Sequence, residues 1–534
     1  MKILYVPLDE RPCNYDYPQY IARLKPQLQL VIPPLSLLGK KKQAADVDCL
    51  WDWLMGSLPD CDCAIVSLEM LVYGGLLPSR LHHLSRAELL KRLQQFRTIA
   101  SNWPNVHFLA SNLIMRAPRY SSSEEEPDYY ETYGEQLFQW GWLQDRARTV
   151  RLSNIALPTA DLVTAELLTT SLPVLEQTQM EALSATIPPQ HLNDYQERRR
   201  KNLEVNLAAI DLVTDGVLEF LAIPQDDCAE FGFTASDRRR VYDRIKTRGL
   251  HDLIHVYPGA DEVGCTLLAR AYTQQLKQTI KIYPLYSSEQ GSRVIPLYED
   301  RPIADSTELH IRVAGAEIAS SFSDADIVLA VNVPKRHSQE AKDQPDGTNF
   351  LQSPSEFVDR IQRLVEEGTP VAVADVAFAN GGDTALIQKV DTVCGWETVL
   401  AYSGWNTCCN SLGSTIAAAI VGKQSNVQEA IAFNTIYHLL EDWGYQTIIR
   451  WALMDSWIEN LGATYFDLNG HSEVVEAEIG RRLEAIWASI LQHSFQNWEL
   501  ASLDIRSPWK RMFEIGIALK IQRRATEQEV HTSQ

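Results

Sequence analysis

Three pairs of neighbouring carboxylates stand in this sequence where an apolar run gives way to a turn. Asp261 and Glu262 close HVYPGADEV (255–263), Asp226 and Asp227 close PQDD (224–227), and Asp9 and Glu10 precede Arg11 in VPLDERP (6–12). Two acids held side by side repel, so one tends to keep its proton near neutrality while its neighbour stays charged. That division of labour is what glycoside hydrolysis asks of two carboxylates. Arg11 can fix a carboxylate or a sugar hydroxyl through its planar fork. Glu69, Asn112 and Arg116 follow similar apolar runs, and Tyr73 opens a Tyr-Gly-Gly turn where backbone can approach a ligand closely. Asp383 ends ANGGD (379–383), and Trp405 with Asn406 in SGWNT (403–407) offers an apolar face beside an amide. The expected catalytic set is therefore Asp261, Glu262, Asp226 and Asp227. The expected substrate-binding set is Asp9, Glu10, Arg11, Glu69, Tyr73, Asn112, Arg116, Asp383, Trp405 and Asn406. Structural roles compete for several of these residues. Asp261 can cap a helix starting at 262, the Asp226 pair can form a turn before a helix from Ala235, Arg11 can lock its own loop, and Trp405 can be core.

The elements that must position these residues are strands, because ligands of parallel α/β folds bind at the carboxyl ends of strands. Strands are expected at 2–7, 28–32, 63–68, 106–111, 152–156, 218–223, 251–257 and 279–284, separated by stretches of helical periodicity such as 85–100, which begins on a serine cap. Eight strands each followed by a helix predict a (β/α)8-like barrel over 1–288. A smaller α/β parallel-sheet domain is expected over 289–424, with strands near 308–313, 326–332, 370–376 and 398–402 and a helix at 354–367. Residues 425–534 read as a helical C-terminal region with a frayed polar tail. The acidic, tyrosine-containing segment 121–133 (SSSEEEPDYYETY) reads as a lid over the strand ends, and 166–213 as a helical insertion whose run ERRRK (197–201) is a solvated face. The likeness of VPLDERP (6–12) to IPLYEDRP (295–302) reads as chance similarity.

Composition narrows the functional classes. A chain of 534 residues exceeds one ordinary core and predicts two or three domains. A net charge of −20, without Lys/Arg clusters of the phosphate-binding kind, argues against a nucleic-acid partner. The sequence has no apolar run of about 18 residues, so no membrane span is expected. The first residues enter a strand without a signal-like apolar segment, which points to a cytoplasmic protein. Nine scattered cysteines without zinc spacing read as reduced thiols. The sequence holds no nucleophile elbow, His-Glu-x-x-His or P-loop, so no cofactor is expected and the partner is a carbohydrate or other small molecule. Two alternatives stay open. One is a metal-dependent hydrolase using Asp9, Asp226 and Asp261 as oxygen ligands. The other is a non-catalytic sugar-binding protein using Trp405, Asn406, Asp383 and Arg11.

The run HVYPGADEV (255–263) resembles the strand-end motif of the β-N-acetylhexosaminidases. That resemblance implies an orienting role for Asp261 and an acid/base role for Glu262. The pair Asp226-Asp227 is similar to the catalytic pair of O-linked N-acetylglucosaminidases. PLDERP, YGGLLPSR, QDD, GADEVG, ANGGD and SGWNT, in that order, resemble the bacterial domain of unknown function 4127, a family that implies no assigned reaction.

Overall fold

The computed structural model describes residues 1–154, 173–276, 278–344 and 354–524. Six strands make a wholly parallel sheet: β1 (Lys2–Val6), β2 (Gln29–Val31), β3 (Cys63–Ser67), β4 (His107–Ser111), β5 (Phe220–Gln225) and β6 (Ile254–Pro258). Their order is β2-β1-β3-β4-β5-β6. β3 and β5 are buried along their whole length, which explains why they read as continuous apolar runs without alternation.

This sheet is open, with edges at β2 and β6, and the expected eight-stranded barrel is not formed. Two segments assigned to the barrel go elsewhere. Residues 152–154 continue the helix Tyr130–Asn154, and the remainder of 152–156 lies outside the described residues. The strand expected at 279–284 exists as β7 (Lys281–Tyr286), but it pairs in a second sheet. That sheet also holds β8 (Glu317–Ile318), β9 (Ile327–Asn332), β11 (Val371–Asp375) and β13 (Ala401–Ser403), in the order β13-β11-β9-β7-β8, with every pairing parallel. A short parallel pair, β10 (Gln339–Glu340) with β12 (Phe378–Ala379), stands beside it. In both sheets the second strand in sequence flanks the first on one side and the later strands run out on the other. Such a reversal opens a crevice at the carboxyl ends next to the first strand.

Segment 308–313, expected as a strand, lies in the helix Ile303–Val313. Ile303, Ser306, Thr307, His310 and Ile311 recur at helical spacing and are buried, so the full turn overrides the local alternation of Leu309, Ile311 and Val313. The C-terminal region is helical through Gln428–His438, Arg450–Ser456 and Ser472–Ser489. It then turns into an antiparallel hairpin, β14 (Trp498–Arg506) with β15 (Gly516–Arg523). Alternating burial along β15 is the period-two pattern of a sheet with one solvated face. The polar tail lies outside the described residues.

Helices cover both faces of the first sheet. On one side Val47–Ser57, Arg86–Asn102, Pro189–Thr214 and Phe233–Arg248 bury Trp51, Leu93, Phe96, Ile210 and Val241 against it. The second of these starts on Ser85, which forms a reciprocal cap with Glu88. On the other side Val263–Gln275 lies between the first sheet and the helix Cys408–Gly422, which in turn packs on β11 and β13. One apolar core runs from Ile3, Leu109 and Phe220 through Leu267 and Leu412 to Val328 and Val373. The two sheets are joined by helix-on-helix packing, and this fixes their strand-end loops relative to one another. Among the described residues no helix is long and apolar enough to cross a membrane.

Candidate functional site

The carboxyl ends of β1, β4, β5 and β6 open onto a cavity of about 240 Å³. The first sheet supplies Arg11, Arg80, Arg116, Gln225, Asp226, Asp227 and Asp261 to its wall. The loops of the second sheet supply Tyr298, Asn380, Asn406, Thr407, Cys409 and Asn410. The C-terminal region supplies Tyr465, Phe466, Arg511 and Phe513, and the segment before Tyr130 supplies Tyr120, Ser122, Glu124 and Glu125. Every part of the chain therefore meets at one site. Tyr120, Tyr298 and Phe466 keep 45, 39 and 42% of their surface exposed. Large aromatics left partly open on a cavity wall are able to cover the apolar face of a ligand.

Backbone strain gathers here as well. Asp227, Tyr298, Asn380 and Asn406 hold φ values of 45°, 70°, 60° and 58° without being glycine, and all four line the cavity. Strain of this kind persists only where the surroundings over-determine it, which makes a functional site the expected place for it.

Arg11 organises the β1 end. Its Nε and Nη2 donate to Asp9 Oδ2 at 2.9 and 2.7 Å, and Nη2 also donates to Asp261 Oδ1 at 2.5 Å. Asp9 takes a further hydrogen bond from Asn14 Nδ2 at 2.9 Å, so its carboxylate is spent on holding Arg11 and does not reach the cavity. Glu10 is turned away too. Its Oε1 accepts from Lys41 N at 2.8 Å and from Trp509 Nε1 at 2.6 Å. Burial pushes Asp261 up to about 6 against the pull of Arg11, with Asp9 adding to the rise.

The β5 end carries the acid pair. Arg80 Nη2 donates to Asp226 Oδ2 at 2.6 Å, and Arg116 Nη1 to Asp227 Oδ2 at 3.4 Å. Burial pushes the Asp227 carboxyl up to about 7; Arg116 opposes the rise and the neighbouring Asp226 reinforces it. Both acids are thus held by an arginine, and Asp227 is the one that burial pushes towards neutrality.

Glu262 does not join Asp261 in the cavity. Its side chain is fully buried, with Oε2 accepting from Ala260 N at 2.9 Å and Oε1 lying 3.6 Å from His310 Nε2. Glycine at 413 makes room for it, since a Cβ there would overlap the Glu262 side chain. Glu69 joins β3 to β4, accepting from Asn112 Nδ2 at 2.7 Å and Leu113 N at 2.8 Å, and burial raises it to about 7. With Tyr73 and Asn112 it lines a small void behind the main cavity. Asp383 caps the helix Thr384–Val393 and accepts from Asn332 Nδ2 at 3.1 Å, outside the cavity. Trp405 is core, edge-on to Tyr17 and Phe513, while its neighbour Asn406 lines the wall.

The segment 121–133 does reach the cavity mouth, though through Ser122, Glu124 and Glu125 and not through its tyrosines. Tyr129 donates to Asp194 at 2.8 Å and stacks on His191, and Tyr130 donates to Pro118 O at 3.0 Å. Arg511 and Phe513 could not be read from strand ends, because they sit in the loop between β14 and β15. Among the described residues no group of three or more His, Cys, Asp or Glu side chains is arranged to hold a metal ion. Asp9 and Asp261 accept hydrogen bonds from Arg11, and Asp226 accepts one from Arg80. The nine cysteines are unpaired; burial, reinforced by Glu299 and Glu262, pushes the Cys409 thiol far up, which leaves it a poor nucleophile.

Fold and site together define a two-sheet parallel α/β protein whose strand-end loops enclose one cleft rich in arginine, carboxylate and exposed aromatic side chains. The chain belongs to the family described as a protein of unknown function, DUF4127, which matches residues 3–518. No curated protein and no solved structure matches it.

Proposed function

We propose that the cavity is the active site of a glycoside hydrolase-like enzyme acting on a small glycan, with Asp227 as the general acid. The observation that carries this reading is the pair at the end of β5. Asp226 is tied to Arg80 and Asp227 to Arg116 on one wall, and burial pushes the Asp227 carboxyl up to about 7, a value suited to a general acid. Asp261, from the neighbouring strand, is a further carboxylate within the same space. The exposed Tyr120, Tyr298 and Phe466 supply faces for a sugar ring, and Gln225, Asn380, Asn406 and Asn410 supply amides for its hydroxyls. Glu262, the acid/base that the hexosaminidase resemblance implies, has no path to a substrate in this cavity, so that role passes to Asp227. The N-acetylhexosamine specificity implied by the same resemblance finds no dedicated support in the wall.

The test is turnover of a panel of aryl glycosides, α and β, by the purified full-length protein and by Asp227→Asn. The substitution is expected to lower kcat by about 10²–10⁴-fold, the usual contribution of a positioned acid. In the unsubstituted protein the rate should fall as pH rises through about 7, where the acid loses its proton, and that limb should vanish in the variant. Full activity in Asp227→Asn removes the assignment. A protein that binds sugars through this cavity and hydrolyses none of the panel is a binding protein.

A further inference from the structure

Three arginines from distant parts of the chain aim one N–H each at a single carboxylate in the cavity. Arg80 Nη1 and Arg116 Nη2 donate to Glu125 Oε2 at 3.0 and 2.9 Å, and Arg511 Nη1 donates to Glu125 Oε1 at 2.6 Å. Each guanidinium also has at least one further acid partner, with Glu126 lying near both Arg116 and Arg80. Arg80 is held by Asp226 at 2.6 Å, Arg116 by Glu126 at 2.8 Å, and Arg511 by both oxygens of Glu514 at 3.0 and 2.9 Å. These separate pairs position the three arginines whether or not Glu125 is present.

Burying three guanidinium groups is costly unless the geometry repays it, and one partner each would suffice for a purely structural role. The arginine side chains are only 3, 9 and 2% exposed, yet all three line the cavity. Their common partner is a side chain from 119–129, a stretch without helix or strand. Burial would raise the Glu125 carboxyl, but Arg116, Arg511 and Arg80 outweigh it and hold the group well below the ordinary range. The three donors grip both oxygens of one planar group, which is the recognition pattern of a carboxylate.

We propose that Glu125 occupies a subsite built for a carboxylate of the substrate, so that the glycan accepted here carries an acidic sugar, such as a uronic acid. As the sugar acid enters, Glu125 leaves for solvent, one negative charge replaces another, and the pairs to Asp226, Glu126 and Glu514 keep the arginines in place. This deepens the hydrolase reading of the same cavity and rests on it for the sugar, though not for the anion.

Calorimetric titration of full-length protein with glucuronate and with glucose tests it, using the unsubstituted chain, Glu125→Ala, and Glu125→Ala combined with Arg511→Gln. Emptying the subsite should tighten glucuronate binding at least about tenfold and leave glucose unchanged, since the freed guanidinium donors form charge-assisted hydrogen bonds with the sugar carboxylate. The added Arg511→Gln should abolish the gain. Glu125→Gln, which keeps the shape and removes the charge, replaces the alanine variant if that one fails to give a cooperative thermal transition. Unchanged glucuronate affinity in the folded Glu125 variant overturns the proposal. Aryl glucuronides and aryl glucosides run in parallel keep the two readings apart. A gain in glucuronate binding without turnover of any glycoside leaves the anion subsite standing and removes the hydrolase. Turnover of neutral glycosides with no gain in binding does the reverse.

Discussion

Asp227, the proposed general acid, is the residue at which the proposed chemistry and stability pull against each other. In the folded protein burial lifts it to about 7, while in an unfolded chain it titrates in the ordinary carboxyl range near 4. The folded state therefore holds this proton more tightly than the unfolded state does. The corresponding stability is complete below about pH 4 and is lost as pH rises towards 7, because above that point the fold must carry a charge it solvates poorly. Asp261 acts in the same sense over a narrower window, up to about 6. Asparagine at 227 cannot ionise, so Asp227→Asn should be more stable than the unsubstituted protein at pH 8, by about 1–3 kcal/mol. The difference should shrink towards zero at pH 4. Thermal unfolding of both proteins at the two pH values measures it, and an advantage that is equal at both would mean that ionisation at 227 is not its cause. Gain in stability with loss of rate is the expected mark of an acid held for function.

The loop between β14 and β15 shows how an element with little regular structure can set a site. Trp509 and Lys510 adopt consecutive left-handed conformations, with φ of 56° and 54°. That turn slides the Trp509 ring under two cations, 4.9 Å from the Arg11 guanidinium and 4.4 Å from that of Arg511, while its Nε1 donates to Glu10. The ring is the platform that joins the β1 end to the hairpin. Trp509→Ala should cost about 2–4 kcal/mol, below or within the range for buried tryptophan because the ring lies at the edge of the core. It should also weaken binding of any ligand that uses Arg511, so KM should rise more than kcat falls. A variant with normal stability and an unchanged KM would show that the arginines stand without it. None of this was legible in RSPWKRMF (506–513), whose residues make no strand-end pattern. The strands themselves were legible wherever both faces are buried, as in CAIVS (63–67) and FLAIPQ (220–225), since burial on both sides leaves an uninterrupted apolar run. Their carboxyl ends were legible for the same reason, and Arg11, Arg116, Asp226, Asp227, Asp261 and Asn406, expected there, line the cavity. Glu262 was misplaced because sequence gives the position of a residue along a turn and not the side to which it points.

At the scale of the whole molecule, pairing order decides what local pattern cannot. Seven of the strands expected in one barrel exist, but β7 pairs with β9, and so the first sheet stays open and a second begins. Both sheets then share one order, with VPLDERP (6–12) following β1 and IPLYEDRP (295–302) following β7. In each case the segment leads from the first strand of its sheet into the helix before the second strand, with Arg11 and Arg301 each followed by proline at the helix start. The two runs thus occupy equivalent positions in their sheets. The sheets are nonetheless not independent bodies. Val263–Gln275, which follows β6, buries Leu267, Leu268 and Ala271 in the core that also contains Leu412, Val328 and Val373. Separating the halves would expose that helix-on-helix surface and take Asn406, Tyr465 and Arg511 away from Asp226 and Asp227. The full chain should therefore unfold in one cooperative calorimetric transition, with its calorimetric and van't Hoff enthalpies equal, in spite of a length at which separate domains are the rule. A truncated chain of residues 1–276 should bind 8-anilinonaphthalene-1-sulfonate and lack a sharp transition, because the apolar face of its last helix has lost its partner. Two resolved transitions in the full chain, or a cooperatively folded fragment, would mean that the cleft joins two self-sufficient domains and that its arginines and acids meet by docking alone.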